Sequence, residues 1–141
     1  MNLEEQWIVG FVDGEGCFHV SVTNNTGMTL KKQVLPEFTV VQHQRNIQVL
    51  YALKSFFKCG VVRTNHEDRK AYRVRGHQNL FSTIIPFFEK HKLKTTKRLD
   101  FEMFRDVVIL MEHEKHLTVE GLQSIEEISQ KMNRKGLTLK G

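Results

Sequence analysis

Cysteine is scarce in this chain: Cys17 and Cys59 are the only two in 141 residues. That is too few for a disulfide framework. Both read as reduced thiols, which fits an intracellular protein and argues against a secreted one. Long apolar runs are missing too. No segment approaches the roughly 20 apolar residues that a membrane-spanning helix needs, so no membrane partner is expected. The N-terminus shows no signal-peptide pattern, because Glu4 and Glu5 precede only a short apolar stretch. It also lacks the Arg- and Ser-rich character of a transit peptide. Proline occurs twice. Pro36 marks an edge or a bulge in a strand, and Pro86 shortens or kinks a helix.

What is present is a core. Hydrophobic residues make up 40% of the chain, which excludes a disordered class. The length fits a single domain over 1–141, with a core over 1–132 and a flexible tail over 133–141. Charge is unevenly placed. Residues 1–98 carry 15 Lys and Arg against 8 Asp and Glu, whereas residues 99–141 carry 6 against 8. The basic surface therefore belongs to the first two thirds, and it suggests a polyanion, nucleic acid before membrane.

The periodicity switches several times. Leu3, Trp7, Ile8 and Phe11 fall at helical spacing over residues 3–13, ending in Gly14-Glu15-Gly16. Phe18, Val20 and Val22 then alternate with His19, Ser21 and Thr23, a half-buried strand. Asn24 to Gly27 is a turn, and a second strand covers about 32–41. Asn46 is placed to cap a helix over 47–57. Alternation returns around Val62, Tyr72 and Val74 as a hairpin. Helices are predicted over about 78–89 and 96–113 and from Thr118 onward, Thr118 being a good N-cap. The order defines an α+β domain whose four strands form one antiparallel sheet with helices on one face.

Sorting strand residues by parity gives two faces. Phe18, Val20, Val22, Phe38, Val40, Val62, Tyr72 and Val74 form one that helices must cover. His19, Ser21, Thr23, Glu37, Thr39, Arg63, Asn65, Arg73 and Arg75 form the other. Many antiparallel sheets carry such a polar face with no ligand. Here the three arginines, joined by Lys58, Arg69 and Lys70, favour phosphates and base edges.

Glu15 stands out. It lies between two glycines at the end of an apolar helix, where the helix dipole disfavours a carboxylate unless a cation balances it. Asp13 adds a second carboxylate, and a hard cation with oxygen ligands resolves the conflict. Gly10 and Gly14 are four apart, a spacing that permits close helix approach. The plain alternative is packing of those glycines against the chain's own sheet.

Residues 8–16, Ile-Val-Gly-Phe-Val-Asp-Gly-Glu-Gly, resemble the motif of the LAGLIDADG homing endonucleases. The later stretches Leu93–Lys97 and His116–Leu122 resemble the C-terminal part of that family, so the likeness spans nearly the whole chain. It implies an αββαββα fold with a saddle-shaped sheet over the major groove of double-stranded DNA. It implies Glu15 as ligand of a catalytic Mg²⁺, with the Gly14 carbonyl as a further ligand. Mn²⁺ or Ca²⁺ would substitute, Ca²⁺ without cleavage. It implies Gln42 as the residue positioning the attacking water and Lys94 as the cation at the scissile phosphate, with Lys92 and Lys97 as rivals. The DNA-reading set is His19, Ser21, Thr23, Asn25, Glu37, Thr39, Arg63, Asn65, Arg69, Lys70, Arg73 and Arg75.

The sequence holds one such motif, with Glu where the family more often has Asp. Single-motif members dimerise, so a homodimer joined through Gln6, Gly10 and Asp13 is expected. The implied activity is cleavage of a long, roughly palindromic site leaving 3′ overhangs, by a protein encoded in an organellar (chloroplast or mitochondrial) or archaeal intron. The alternatives on the same fold are a non-cleaving DNA-binding regulator and an RNA maturase, whose partner would be intron RNA. His113 and His116 share a helix face, but no third ligand converges on them and a solvated face explains them.

Overall fold

The computed structural model describes the backbone of residues 1–140 and the side chains of residues 1–133. Helix α1 spans Glu5–Glu15, two residues further than the periodicity predicted, and passes directly into strand β1, Gly16–Asn24. The junction requires glycine at Gly16: a Cβ there would lie 2.6 Å from the Val12 side chain and 3.0 Å from the Val12 carbonyl oxygen. Strand β2, Lys32–His43, is followed by helix α2, Ile47–Phe57, and by strands β3, Val61–His66, and β4, Arg69–Val74.

The chain then forms a helical run α3 over 77–90. It is built of His77–Asn79, a wide π turn Leu80–Ile84 and Ile85–Lys90. Pro86 does not end this run. It lacks an N–H, and it sits just after the π turn, the kind of irregularity that absorbs such a break. Helix α4 covers Lys97–Glu112 and α5 covers Val119–Lys140. Thr118 caps α5 as expected, its hydroxyl accepting from the Gly121 N–H at 3.0 Å. The tail expected to fray from Asn133 continues α5 in its backbone as far as Lys140, and its side chains after Asn133 lie outside the described residues.

The four strands form one antiparallel sheet in the order β1-β2-β4-β3. Helix α2 packs on β2, β3 and β4, and α4 and α5 pack on β1. Phe18, Phe38, Tyr72, Phe88 and Phe104 meet beneath the sheet, with ring centroids 5.1 Å apart for Phe18–Phe38 and 5.7 Å for Phe38–Phe88. Offset and edge-on contacts of this kind add to the area the rings bury. The parity reading of the buried face holds for Phe18, Val20, Phe38, Val40, Tyr72 and Val74, all buried, while Val22 and Val62 are half-buried.

Pro36 sits within β2 without disturbing a ladder. β4 pairs with β2 only as far as Phe38–Val74, so Pro36 lies beyond its end. On the other side it is paired with Val20, whose carbonyl turns away from β2 and accepts from the buried Ser129 hydroxyl of α5 at 2.8 Å. That bond covers the outer edge of β1, an edge that would otherwise be open to pairing.

Two local expectations fail. Asn46 makes no capping bond to α2; its amide reaches Gln42 Oε1 at 3.4 Å. The turn before α2 is held instead by the His43 imidazole, whose Nδ1 accepts from the Arg45 N–H at 3.1 Å. In α1 the inward residues are Ile8, Val9 and Val12. Trp7 is 47% exposed and stacks on half-buried Phe11 with centroids 4.9 Å apart. The apolar stripe read from the sequence therefore divides into an inner and an outer face.

Candidate nucleic-acid interface and carboxylate corner

Cross-strand register fixes which side chains share the open face of the sheet, because direct partners point the same way. One row is Cys17, Thr39, Arg73 and Val61; another is Val41, Ala71 and Arg63; His19 faces Glu37, and Ser21 faces Leu35. This brings together His19, Ser21, Thr23, Glu37, Thr39, Arg63 and Arg73, as parity predicted. Arg69 joins them, paired with His43. Arg75 lies just past β4 and reaches the same face through Glu37. Asn65 sits in a bulge between Thr64 and His66 and is exposed.

One predicted reader does not belong to that face. Lys70 pairs with Gln42 and Thr64, one step out of phase with Arg69 and Ala71, so it points to the helix side. Its ammonium donates to Thr64 Oγ1 at 2.9 Å. Asn25 follows Thr23 at the edge of the face, where its Oδ1 accepts from the Gly27 N–H at 2.9 Å and its Nδ2 donates at 3.0 Å to Gln33, the cross-strand partner of Thr23.

The electrostatics centre on Glu37. Its Oε1 accepts from Arg75 Nε at 2.9 Å and lies 3.4 Å from Arg73 Nε. Burial, then the charges of Arg75 and Arg63, lower the Arg73 pKa, and Glu37 opposes them. Sequence reasoning missed this clamp, and it missed the apolar members of the face, Leu35, Val41 and Val61. The same parity count would have found them.

At the C-terminal end of α1 the two acids separate in role. Asp13 is engaged within its own chain. Its Oδ2 accepts from the Lys94 N–H at 2.7 Å, and its Oδ1 accepts from the Thr95 N–H at 3.2 Å and the Thr95 hydroxyl at 2.8 Å. Burial raises its pKa, but those bonds and the Lys97 charge outweigh it, and the net shift is downward. Asp13 thus works within its own chain, and the Lys94–Thr95 turn is pinned two residues from Glu15. Among the rival lysines, Lys97 donates its ammonium to the Gly16 carbonyl. Lys94 is exposed, and only its backbone is held.

Glu15 is exposed, and no hydrogen bond or ion pair reaches it among the described residues. Gly10 and Gly14 have nothing within 4 Å of an added Cβ, so nothing in this chain requires glycine there. The alternative of packing against the chain's own sheet is therefore excluded. Gln6 is exposed on the same helix. Gln42, the cross-strand partner of Lys70, lies off the open face at the end of β2, its Nε2 donating to the Val41 carbonyl at 2.9 Å and its Oε1 accepting from Asn46 at 3.4 Å. His116 is half-buried, and burial followed by the nearby His77 lowers its pKa. It forms no metal cluster with His113, and no group of three or more His, Cys, Asp or Glu side chains among the described residues could hold a metal.

A helix ending in an unpaired carboxylate, set on an antiparallel sheet with an arginine-bearing open face, is an arrangement suited to a phosphate-bearing partner. The chain belongs to the LAGLIDADG endonuclease family, whose sequence profile matches residues 8–108. A crystal structure of the homing endonuclease I-TnaI is 56% identical with a TM-score of 0.91, covering 94% of this chain and 90% of that one. The homing endonuclease I-LtrWI, solved bound to target DNA, is 33% identical with a TM-score of 0.89, covering 92% of this chain and 44% of that one. A probable intron-encoded endonuclease of Neurospora crassa is 31% identical over 124 residues, which are 86% of this chain and 26% of the relative. The chain thus spans about a quarter of the length of that curated relative.

Proposed function

We propose that the chain is a site-specific endonuclease of double-stranded DNA that works as a homodimer joined along α1, with one Glu15 from each copy serving one DNA strand. The observation that carries this is the outer side of α1: Gly10 and Gly14 open to space, Trp7 exposed, and an unpaired Glu15 at the end. Glycines that nothing in their own chain requires, beside exposed apolar rings, fit a close helix–helix contact with a second copy.

The donor set suits a divalent cation. One carboxylate, Glu15, and one carbonyl, Gly14, are available per chain, too few for a protein cage. Mg²⁺ is commonly held by one or two carboxylates, with phosphate oxygens and water completing the shell. When bound, such an ion supplies an activated water and stabilises charge on the attacking and leaving oxygens. Lys94, held by its backbone on Asp13, offers its ammonium to the charge that builds on the phosphate. Gln42 is the group that orients water. Arg63, Arg73, Thr39, His19 and Ser21 read the groove, and a twofold dimer makes the site roughly palindromic, as two-fold DNA binders do. Cleavage leaves 3′ overhangs. The gene lies in an organellar or archaeal intron.

The experiment is cleavage of a randomised duplex library by the purified chain with Mg²⁺, with Ca²⁺ and with chelator. Recovery of one cut site with Mg²⁺, and of binding without cutting in Ca²⁺, is expected. Binding without cutting under every condition would turn the reading to a regulator or a maturase.

A further inference from the structure

Glu37 is the only acid at the strand positions of the open face. On a surface meant for phosphates, a carboxylate is out of place. An ion pair through any nitrogen of either guanidinium would stabilise the face, so stability alone does not select the pairing seen here. The geometry offers another reason. Both arginines meet Glu37 through Nε, Arg75 at 2.9 Å and Arg73 at 3.4 Å. No hydrogen bond reaches the terminal nitrogens of either guanidinium among the described residues. Each therefore presents an unused two-pronged end, held at its neck.

That end matches the O6 and N7 acceptors of guanine in the major groove. Without the carboxylate, Arg63, Arg73 and Arg75 would repel one another. Guanidiniums free to swing pair with phosphates, which carry no sequence information.

We propose that Glu37 is a positioning residue that aims the forked ends of Arg73 and Arg75 at guanine edges, setting a guanine preference at two positions in each half-site. The inference rests on the DNA-binding reading above. It differs from direct readout, in which the Glu37 carboxylate would accept from a cytosine N4 amine.

The test uses the full chain. Wild type first selects a target from random duplex DNA in Ca²⁺. Binding is then measured to that target, and to copies carrying 7-deazaguanine at each selected guanine in turn, for wild type and Glu37→Gln. The modified base lacks N7 but leaves the cytosine amine intact. Wild type should lose about ten- to hundredfold at two guanines per half-site, whereas Glu37→Gln should lose less than about threefold there. Glu37→Gln should also bind scrambled DNA more tightly than wild type. Glu37→Asp, which keeps the charge on a shorter arm, should show intermediate sensitivity and covers the case in which Glu37→Gln does not fold.

Full 7-deazaguanine sensitivity in Glu37→Gln would overturn the inference and leave the endonuclease reading standing. So would a selected site with no guanine-sensitive position. Failure of wild type to select any site would overturn both.

Discussion

Replacing Asp13 by alanine tests whether this residue works inside its own chain. Its carboxylate accepts three bonds, from the Lys94 N–H, the Thr95 N–H and the Thr95 hydroxyl. Hydrogen bonds to charged groups contribute about 1.5–3 kcal/mol each when buried. Asp13 is half-exposed, so solvent screening reduces this to a total of about 2–4 kcal/mol. For a domain of this size that corresponds to a fall in Tm of about 6–15 °C.

The effect has a defined pH dependence. Burial raises the Asp13 pKa, the bonds and Lys97 lower it more, and the net shift is down. A depressed carboxylate adds stability above its unfolded value, about 3.9, and loses it as pH falls through the folded value. Melting curves of wild type and Asp13→Ala should therefore be separated at neutral pH and converge in acid below about pH 4. The separation should not depend on protein concentration. Cleavage should drop as well, because the Lys94 turn loses its anchor. A variant that melts like wild type at pH 7, or whose deficit grows with protein concentration as a dimer-contact loss would, refutes the argument.

Gly10→Leu places a side chain where one chain has open space; sedimentation should show a monomer with unchanged circular dichroism, and a persistent dimer would place the interface elsewhere. Ser129→Ala removes a buried bond to the Val20 carbonyl and should cost about 1–3 kcal/mol in denaturant unfolding; no change would mean that water replaces the hydroxyl at the β1 edge.

The fold was largely legible because its signals are local. Alternation in β1 and β2 showed which of their residues face the core, and helical spacing with Thr118 placed both ends of α4 and the start of α5 within a residue. Lys70 failed for a related reason: neighbouring strand residues cannot both face the open side, and a bulge at Asn65 shifts the register by one. The inward and outward sides of α1 could not be separated, because Trp7 and Ile8 are equally apolar in sequence and only the sheet decides which is covered. Glu15 was legible from its flanking glycines and from the motif. The role of Asp13 was not, since its partners lie 81 and 82 residues away. The Glu37 clamp was hidden in the same way, its acceptor and Arg75 being 38 residues apart. Asn25 carried a turn signal, and its Oδ1 closes that turn by accepting from the Gly27 N–H.

The central claim is that each copy supplies one Glu15 to one strand. A linked dimer with one wild-type copy and one Glu15→Gln copy, incubated with its target and Mg²⁺, measures this directly on a strand-labelled gel. The account predicts a nick in a single strand with binding intact. Cutting of both strands at the wild-type rate, or loss of both cuts together, would contradict it.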